Sequence, residues 1–149
     1  MALSVAHAAD LDVVRERIIH AVVPPQGQSM TALVKTAQGI AESQQTDGSW
    51  KDVVYTDQAR SNWLTSKHLN NLLQMAKANA AAPDPKLRSA IVKGIEWWLK
   101  NDPHNPNWWH NEIGVPQLLG ETALLLGKDL PQSDRAGVIN IMKRSVWTK

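Results

Sequence analysis

Residues 84–127, DPKLRSAIVKGIEWWLKNDPHNPNWWHNEIGVPQLLGETALLLG, read as two helices joined by a turn rich in asparagine. Asp84 suits an N-cap and Pro85 the first helical position, where a missing N–H costs nothing. Leu87, Ile91, Ile95 and Trp98 then fall on one face at helical spacing. The turn 101–112 holds Pro103, Pro106 and several Asn. A further helix from about Ile113 to Leu126 stops at Gly127, a residue that readily takes the left-handed conformation at a helix end. A helix that stops, turns and restarts is a hairpin, and no strand-like alternation interrupts it.

The same pattern extends in both directions. Leu11, Val14, Ile18 and Val22 mark a first helix, which Pro24-Pro25 ends by removing donors and restricting the preceding residue. A second runs from about Met30 to Gln44 with Leu33, Ala37, Ile40 and Ala41 on one face. Asp47-Gly48-Ser49 is a turn. A third helix spans about Gln58 to Ala80, with Leu64, His68, Leu72 and Met75 aligned. The last, from about Ser133 to Trp147, carries Val138, Ile141, Met142 and Ser145 on one side. The spacing therefore predicts an all-α chain of antiparallel helical hairpins set side by side as an arc. An arc has open ends, so apolar surface is expected near the C-terminal helix, with self-association as its consequence.

The 149 residues suffice for one domain with its own core. With 16 Lys+Arg against 14 Asp+Glu the formal charge is +2 and the bases are scattered, which argues against a nucleic-acid partner. A local basic patch, and hence a polyanionic sugar, is compatible with so small a net charge. The chain has no Cys, so disulfides and Cys-based metal sites are ruled out. The five His show no close metal-binding spacing, and no metal or cofactor is expected. No apolar run approaches the roughly 20 residues of a membrane span. Residues 1–9 read as the remnant of an export signal, with Ala6 and Ala8 in an Ala-x-Ala arrangement, followed by a domain over residues 10–149.

Seven of the eight aromatic residues are Trp. Indole combines a broad apolar face with one N–H donor. A pyranose ring, apolar on its C–H face and rimmed by hydroxyls, can lie on such a ring while a neighbouring amide binds the rim. Trp97-Trp98, inside a helical pattern, read as core. Trp108 and Trp109, where the turn enters a helix, read as a sugar platform, with Asn107 as the amide.

The segment NPNWWHNEIGVPQLL resembles the Asn-Trp-Trp-x-x-Glu-Ile-Gly-x-Pro signature of polysaccharide lyase family 8, the hyaluronate, chondroitin AC and xanthan lyases. DGSWKDVVY, WLTSKHLNNLLQMAKA and AIVKGIEWWLKNDPHNPNWW resemble the family's preceding elements in order and character. The resemblance covers most of residues 10–147. It implies the N-terminal part of an incomplete α/α toroid in a secreted or periplasmic enzyme that cleaves uronate-containing polysaccharide by β-elimination. It also implies that Asn107, Trp108 and Trp109 hold an acidic polysaccharide of the hyaluronan, chondroitin or xanthan type. The family's catalytic Asn, His, Tyr and Arg belong to a later region with no counterpart in this chain, so catalytic residues are expected to be absent and the chain inactive alone. Where the family often has a basic residue after the position of His68, this chain has Asn70-Asn71.

Three other readings compete. QQTDGSW resembles the Gln-x-x-Asp-Gly-x-Trp repeat of terpene-cyclase-like toroids, but it occurs once and lacks the acidic Asp-x-Asp-Asp centre. A glycoside hydrolase would need two carboxylates facing across a cleft, with Asp52 and Glu112 the nominees. A non-catalytic carbohydrate-binding or scaffold module is the alternative function. Glu112 itself suits the start of a helix, where a carboxylate favours the dipole.

Overall fold

The computed structural model describes residues 2–145, with side chains described from Asp12 onward. The side chains of residues 1–11, on which the export-signal reading and Leu11 fall, lie outside the described residues, as does Trp147. Six α-helices follow one another: α1 Ala2–Val22, α2 Gln28–Glu42, α3 Lys67–Ala81, α4 Pro85–Asn101, α5 Val115–Leu126 and α6 Gln132–Met142. Within the described residues the sole β-type pairing is an isolated bridge between Gln44 and Trp50.

The helices form two layers. α1, α3 and α5 lie against one another in one layer, and α4 packs between α2 and α6 in the other; α3 touches α2 and α4, and α5 touches α6. This alternation, in which each helix neighbours the one two further along the chain, is an arc of an α/α toroid built from hairpins. α3 sits at the centre and buries most of its residues, Leu72, Met75, Ala76 and His68 completely.

α4 is the clearest product of its sequence. The Asp84 carboxylate accepts the Lys86 N–H at 2.8 Å, Pro85 occupies the first turn, and Leu87, Ile91, Ile95 and Trp98 are all at most 1% exposed. Full burial of four such side chains stabilises the fold by about 2 kcal/mol each on transfer scales. In α2 the expected face holds as well, with Ala37 buried and Leu33, Ile40 and Ala41 packed against the core.

Three boundaries differ from the sequence expectation. The third helix starts at Lys67, after a short 3₁₀ turn at Leu64–Ser66, and not near Gln58. Asp57 is the reason: its carboxylate accepts the N–H groups of Ala59 (3.0 Å) and Leu64 (2.6 Å), fixing the preceding loop in a non-helical path and leaving Leu64 47% exposed. Those two amides, Leu64 foremost, hold the Asp57 carboxyl below the usual carboxylate range. The last α-helix ends at Met142 and tightens into a 3₁₀ turn over Lys143–Ser145. The fifth helix begins earlier than expected, as described below.

α1 is tied to the rest by Arg15, which donates to the Leu124 carbonyl (3.1 Å) and the Leu125 carbonyl (3.0 Å) at the C-terminus of α5. These are carbonyls that the helix cannot satisfy itself, at its negative end. At the opposite side of the arc, Ile139 (46% exposed) and Met142 (42%) leave apolar surface on α6, where open-ended surface was expected.

Candidate functional site

The loop between α2 and α3 and the turn between α4 and α5 are laced together by asparagines. Asn105, 4% exposed, donates its side-chain amide to the Ala59 carbonyl at 3.0 Å. Its backbone is gripped by Asn111, which accepts the Asn105 N–H (2.9 Å) and donates to the Asn105 carbonyl (2.8 Å). Asn107 spans both segments too: its Nδ2 donates to the Arg60 carbonyl at 2.8 Å, while its Oδ1 accepts the Trp109 N–H at 3.1 Å as an N-cap. Helical backbone thus starts at Trp108, so the two indoles sit on the first residues of a helix instead of in a loop.

The next five residues, His110–Gly114, form a single π-type turn, in which the Val115 N–H reaches back to the His110 carbonyl. Pro116 supplies a physical reason. It has no N–H for the Glu112 carbonyl, and the Ser145 hydroxyl donates to that carbonyl in its place. Nearby, Arg144 grips Asp102 with both guanidinium nitrogens, and His104 lies 3.2 Å from the same carboxylate. Burial pushes the Asp102 carboxyl up, but the hydrogen bonds and charges of Arg144 and His104 outweigh it and hold it below its ordinary value.

Trp108 is 51% exposed and Trp109 46% exposed, far more than any other described Trp of the core. Trp109 leans over Gly114, where an added Cβ would stand 3.0 Å from Trp109 Cζ3, so the bare glycine seats the ring. Beneath lies a hollow of about 250 Å³ lined by Trp63, Leu69, Trp109, His110, Gly114 and Leu118 among others. It adjoins a second hollow of about 430 Å³ at Trp63 and Ser66, which line both. Most residues lining the second are polar, Asp52, Asn62, Lys67, Asn70, Asn71 and Gln74 among them. Together they make up a groove with Trp109 at one end and the start of α3 at the other.

Of the three residues read as a sugar platform, Asn107 caps the helix start that carries Trp108 and Trp109, and Trp109 lines the smaller hollow. Asn107, however, already spends one amide hydrogen and one oxygen lone pair on holding the platform, leaving one of each for a ligand. Trp63 went unremarked as a groove residue. Its Nε1 donates to the Asp57 carbonyl at 3.0 Å and its ring lies 5.3 Å from that of His110. Only the folding of the 57–63 loop against the Asn-rich turn brings it there, a contact with no local sequence signal.

Lys67 pairs with Asp52 at 2.8 Å, while Glu112 lines neither hollow, so the two carboxylates do not face each other across this groove. His110 lies 3.3 Å from the Arg60 carbonyl and does not share the Asp102 partner of His104. Among the described residues no group of three His, Asp or Glu is placed to hold a metal ion. No described helix is long and apolar enough to cross a membrane.

His68 is fully buried. Its Nε2 is 2.9 Å from the Gly94 carbonyl and must carry the proton, so Nδ1 accepts from the Tyr55 hydroxyl, also at 2.9 Å. That hydroxyl in turn accepts the Trp50 N–H at 3.1 Å. Burial pushes the Tyr55 phenol up to about 12 and depresses the His68 imidazole to about 4. Both groups are held neutral in the core, away from the groove.

An arc of α/α hairpins, each helix beside the one two further along the chain, defines an all-α, toroid-type class of fold. The chain belongs to polysaccharide lyase family 8: the family model described as "Polysaccharide lyase family 8, N terminal alpha-helical domain" matches residues 22–149. It is 38% identical over 115 residues to the chondroitinase-AC of Pedobacter heparinus, an alignment covering 74% of this chain and 16% of that enzyme. It is also 40% identical over 55 residues to the polysaccharide lyase 8 family protein HylA of Enterococcus faecalis, covering 34% of this chain and 4% of HylA. Among solved structures, a chondroitinase AC lyase studied in oligosaccharide complexes superposes with a TM-score of 0.79 at 33% identity, over 90% of this chain and 20% of that one. A Paenibacillus xanthan lyase shares the fold, with a TM-score of 0.71 at 20% identity over 93% of this chain and 15% of its own. The chain thus spans no more than about a fifth of these relatives.

Proposed function

We propose that this chain is the polymer-gripping N-terminal segment of a lyase that cleaves uronate-containing polysaccharide by β-elimination, that it works outside the cytoplasm, and that it is catalytically silent alone. The observation that carries this reading is the half-exposed pair Trp108 and Trp109 at the start of a helix, with Trp109 lining the groove. A pyranose stacked on each ring gains on the order of 1 kcal/mol per ring, and the free half of the Asn107 amide meets its hydroxyls. Relatives named chondroitinase-AC and xanthan lyase support an acidic polysaccharide as the polymer.

Elimination removes the proton on C5, α to the uronate carboxylate, which needs a base, a group to stabilise the enolate and an acid for the departing oxygen. Among the described residues neither hollow is lined by a Tyr or an Arg, and His110 is the one imidazole at the groove. His68 and Tyr55 are locked into the core network. The groove as built orients a chain without cutting it. A non-catalytic carbohydrate-binding module is the second reading, and for the isolated chain it predicts the same behaviour.

Tryptophan fluorescence titrated with hyaluronan, chondroitin and xanthan oligosaccharides should show saturable quenching with at least one of them and no growth of unsaturated-uronate absorbance. Trp108→Ala and Trp109→Ala should each weaken binding about fivefold, the equivalent of one stacking contact. Unchanged affinity in both variants, or absorbance growth with the isolated chain, would overturn the reading.

We further propose that the apolar strip of α6 at Ile139 and Met142 pairs with another surface of its kind in solution. Sedimentation should give a mass that rises with concentration and falls back to the monomer in an Ile139→Lys/Met142→Glu variant. A concentration-independent monomer mass for the unaltered chain would sink this idea.

A further inference from the structure

The polar half of the groove carries a chemistry of its own. Asn71 is only 7% exposed, yet its side-chain amide makes no hydrogen bond to any described residue. The amide is not sealed in: the buried polar atoms without partners are Trp98 Nε1 and Asp134 Oδ2, whereas Asn71 opens onto the 430 Å³ hollow. A buried amide with its full hydrogen-bonding capacity directed into a cavity is an unfavourable arrangement unless something polar meets it. Asn62 and Gln74 line the same hollow. Asn70 beside them uses one hydrogen on the Ser66 carbonyl at 3.0 Å and keeps its oxygen.

Charge is balanced there. Among the described residues the one cation of the hollow, Lys67, is paired at 2.8 Å with its one anion, Asp52. Among the described residues, the adjoining hollow under Trp109 has no Lys, Arg, Asp or Glu in its lining. Arg60 lines neither; it enters the site through its carbonyl, which Asn107 and His110 approach. An acidic sugar placed in such a hollow would give up hydration and meet no free cation. A sugar bearing only hydroxyl or acetamido groups would exchange water for amides that both donate and accept.

We propose that the hollow at Asn62, Asn70, Asn71 and Gln74 is a subsite for a non-ionic sugar unit, one carrying hydroxyl or acetamido groups and no carboxylate or sulfate. The inference rests on the reading of the groove as a carbohydrate site. In an alternating polymer it sets the register: a neutral unit sits against the asparagines, and the uronates fall outside this hollow.

The test uses two ligands on the intact chain, a hyaluronan hexasaccharide and the same hexasaccharide with its uronate carboxyls reduced to alcohols, each titrated at low and at near-physiological salt. The reduced ligand should bind within about threefold of the acidic one, and salt should change either affinity by less than about twofold, because no free cation in the groove is screened. Asn71→Ala should weaken both ligands about tenfold, the loss of one or two buried amide hydrogen bonds. Because Asn71 is buried, the exposed Gln74→Ala variant is measured beside it and should weaken both ligands in parallel by a smaller factor. If the acidic ligand binds more than tenfold tighter than the reduced one and salt abolishes the difference, the non-ionic subsite is wrong while carbohydrate binding stands. Binding of neither ligand overturns the carbohydrate reading together with this one.

Discussion

Acidification from pH 7 to pH 4 is expected to remove about 3 kcal/mol of folding stability through one imidazole, that of His68. The ring is fully buried, edge-on to Trp50 with centroids 4.9 Å apart and stacked on Trp97 at the same distance. Burial lowers its folded value from 6.5 to about 4, against the smaller opposing pull of the Gly94 carbonyl and the Asp47 charge. The sign follows from which state binds the proton. Between those two values the unfolded chain is protonated at His68 and the folded chain is not. The contribution is therefore whole above pH 6.5, erodes as pH falls through the window, and is gone near pH 4. Protonation also turns Nδ1 from acceptor into donor against Tyr55, whose oxygen already takes the Trp50 N–H. Chemical denaturation at several pH values, with His68→Gln as reference, isolates this contribution from that of every other titrating group. Equal pH slopes for the two proteins between 4 and 6.5 would show that His68 is not the sensor.

Gly48→Ala should cost 3 kcal/mol or more, on the order of the largest single-substitution effects. The residue has φ of 94°, where a side chain is strained, and an added Cβ would stand 2.3 Å from the Lys93 carbonyl oxygen and 2.9 Å from its carbon. Both are backbone atoms of α4, which cannot move aside without disturbing the core. The turn around Gly48 is what fastens α2 to α4: Gln44 Nε2 donates to the Gly48 carbonyl (3.2 Å) and to the Ala90 carbonyl (2.9 Å). Asp47 closes the turn by accepting from the Ser49 N–H (2.9 Å) and hydroxyl (2.6 Å), and Trp50 Nε1 donates to the Ile40 carbonyl at 2.9 Å. Gly39→Ala is the control, since no atom beyond its own helix turn lies within 4 Å of its added Cβ, and helix propensity favours alanine. Urea midpoints would separate the two; a Gly48→Ala midpoint as high as that of Gly39→Ala would refute the steric account.

What could be read from the sequence follows the range of the forces involved. α4 was legible to its cap because Asp84, Pro85 and the apolar face at 87, 91, 95 and 98 are all local signals. The QQTDGSW stretch fastens α2 to α4 through Gln44, whose Nε2 donates to the Ala90 carbonyl, a contact 46 residues away that no local signal marks. The start of α3 was not legible, since Asp57 diverts the chain by capturing the N–H of Leu64, seven residues on. The pairing of Tyr55 with His68 was equally hidden, for it joins a loop to a helix and ends on the carbonyl of a third element. At the groove, the composition signal singled out Trp108 and Trp109. Trp63 and Asn71 carry no such signal, because they face the groove only through the packing of α3 against α5 and of one loop against another.

The π-type turn at His110–Gly114 makes the aim of the indole pair depend on chain length as well as on side chains. Such a turn holds one residue more than regular helix would. Removing one residue from it would restore ordinary winding, swing Trp108 and Trp109 about 100° around the axis of α5 and shorten their reach by about 1.5 Å. The platform would survive, chemically intact, and point somewhere else. A homologous chain could thus redirect the two indoles through a single codon gained or lost, without changing either tryptophan.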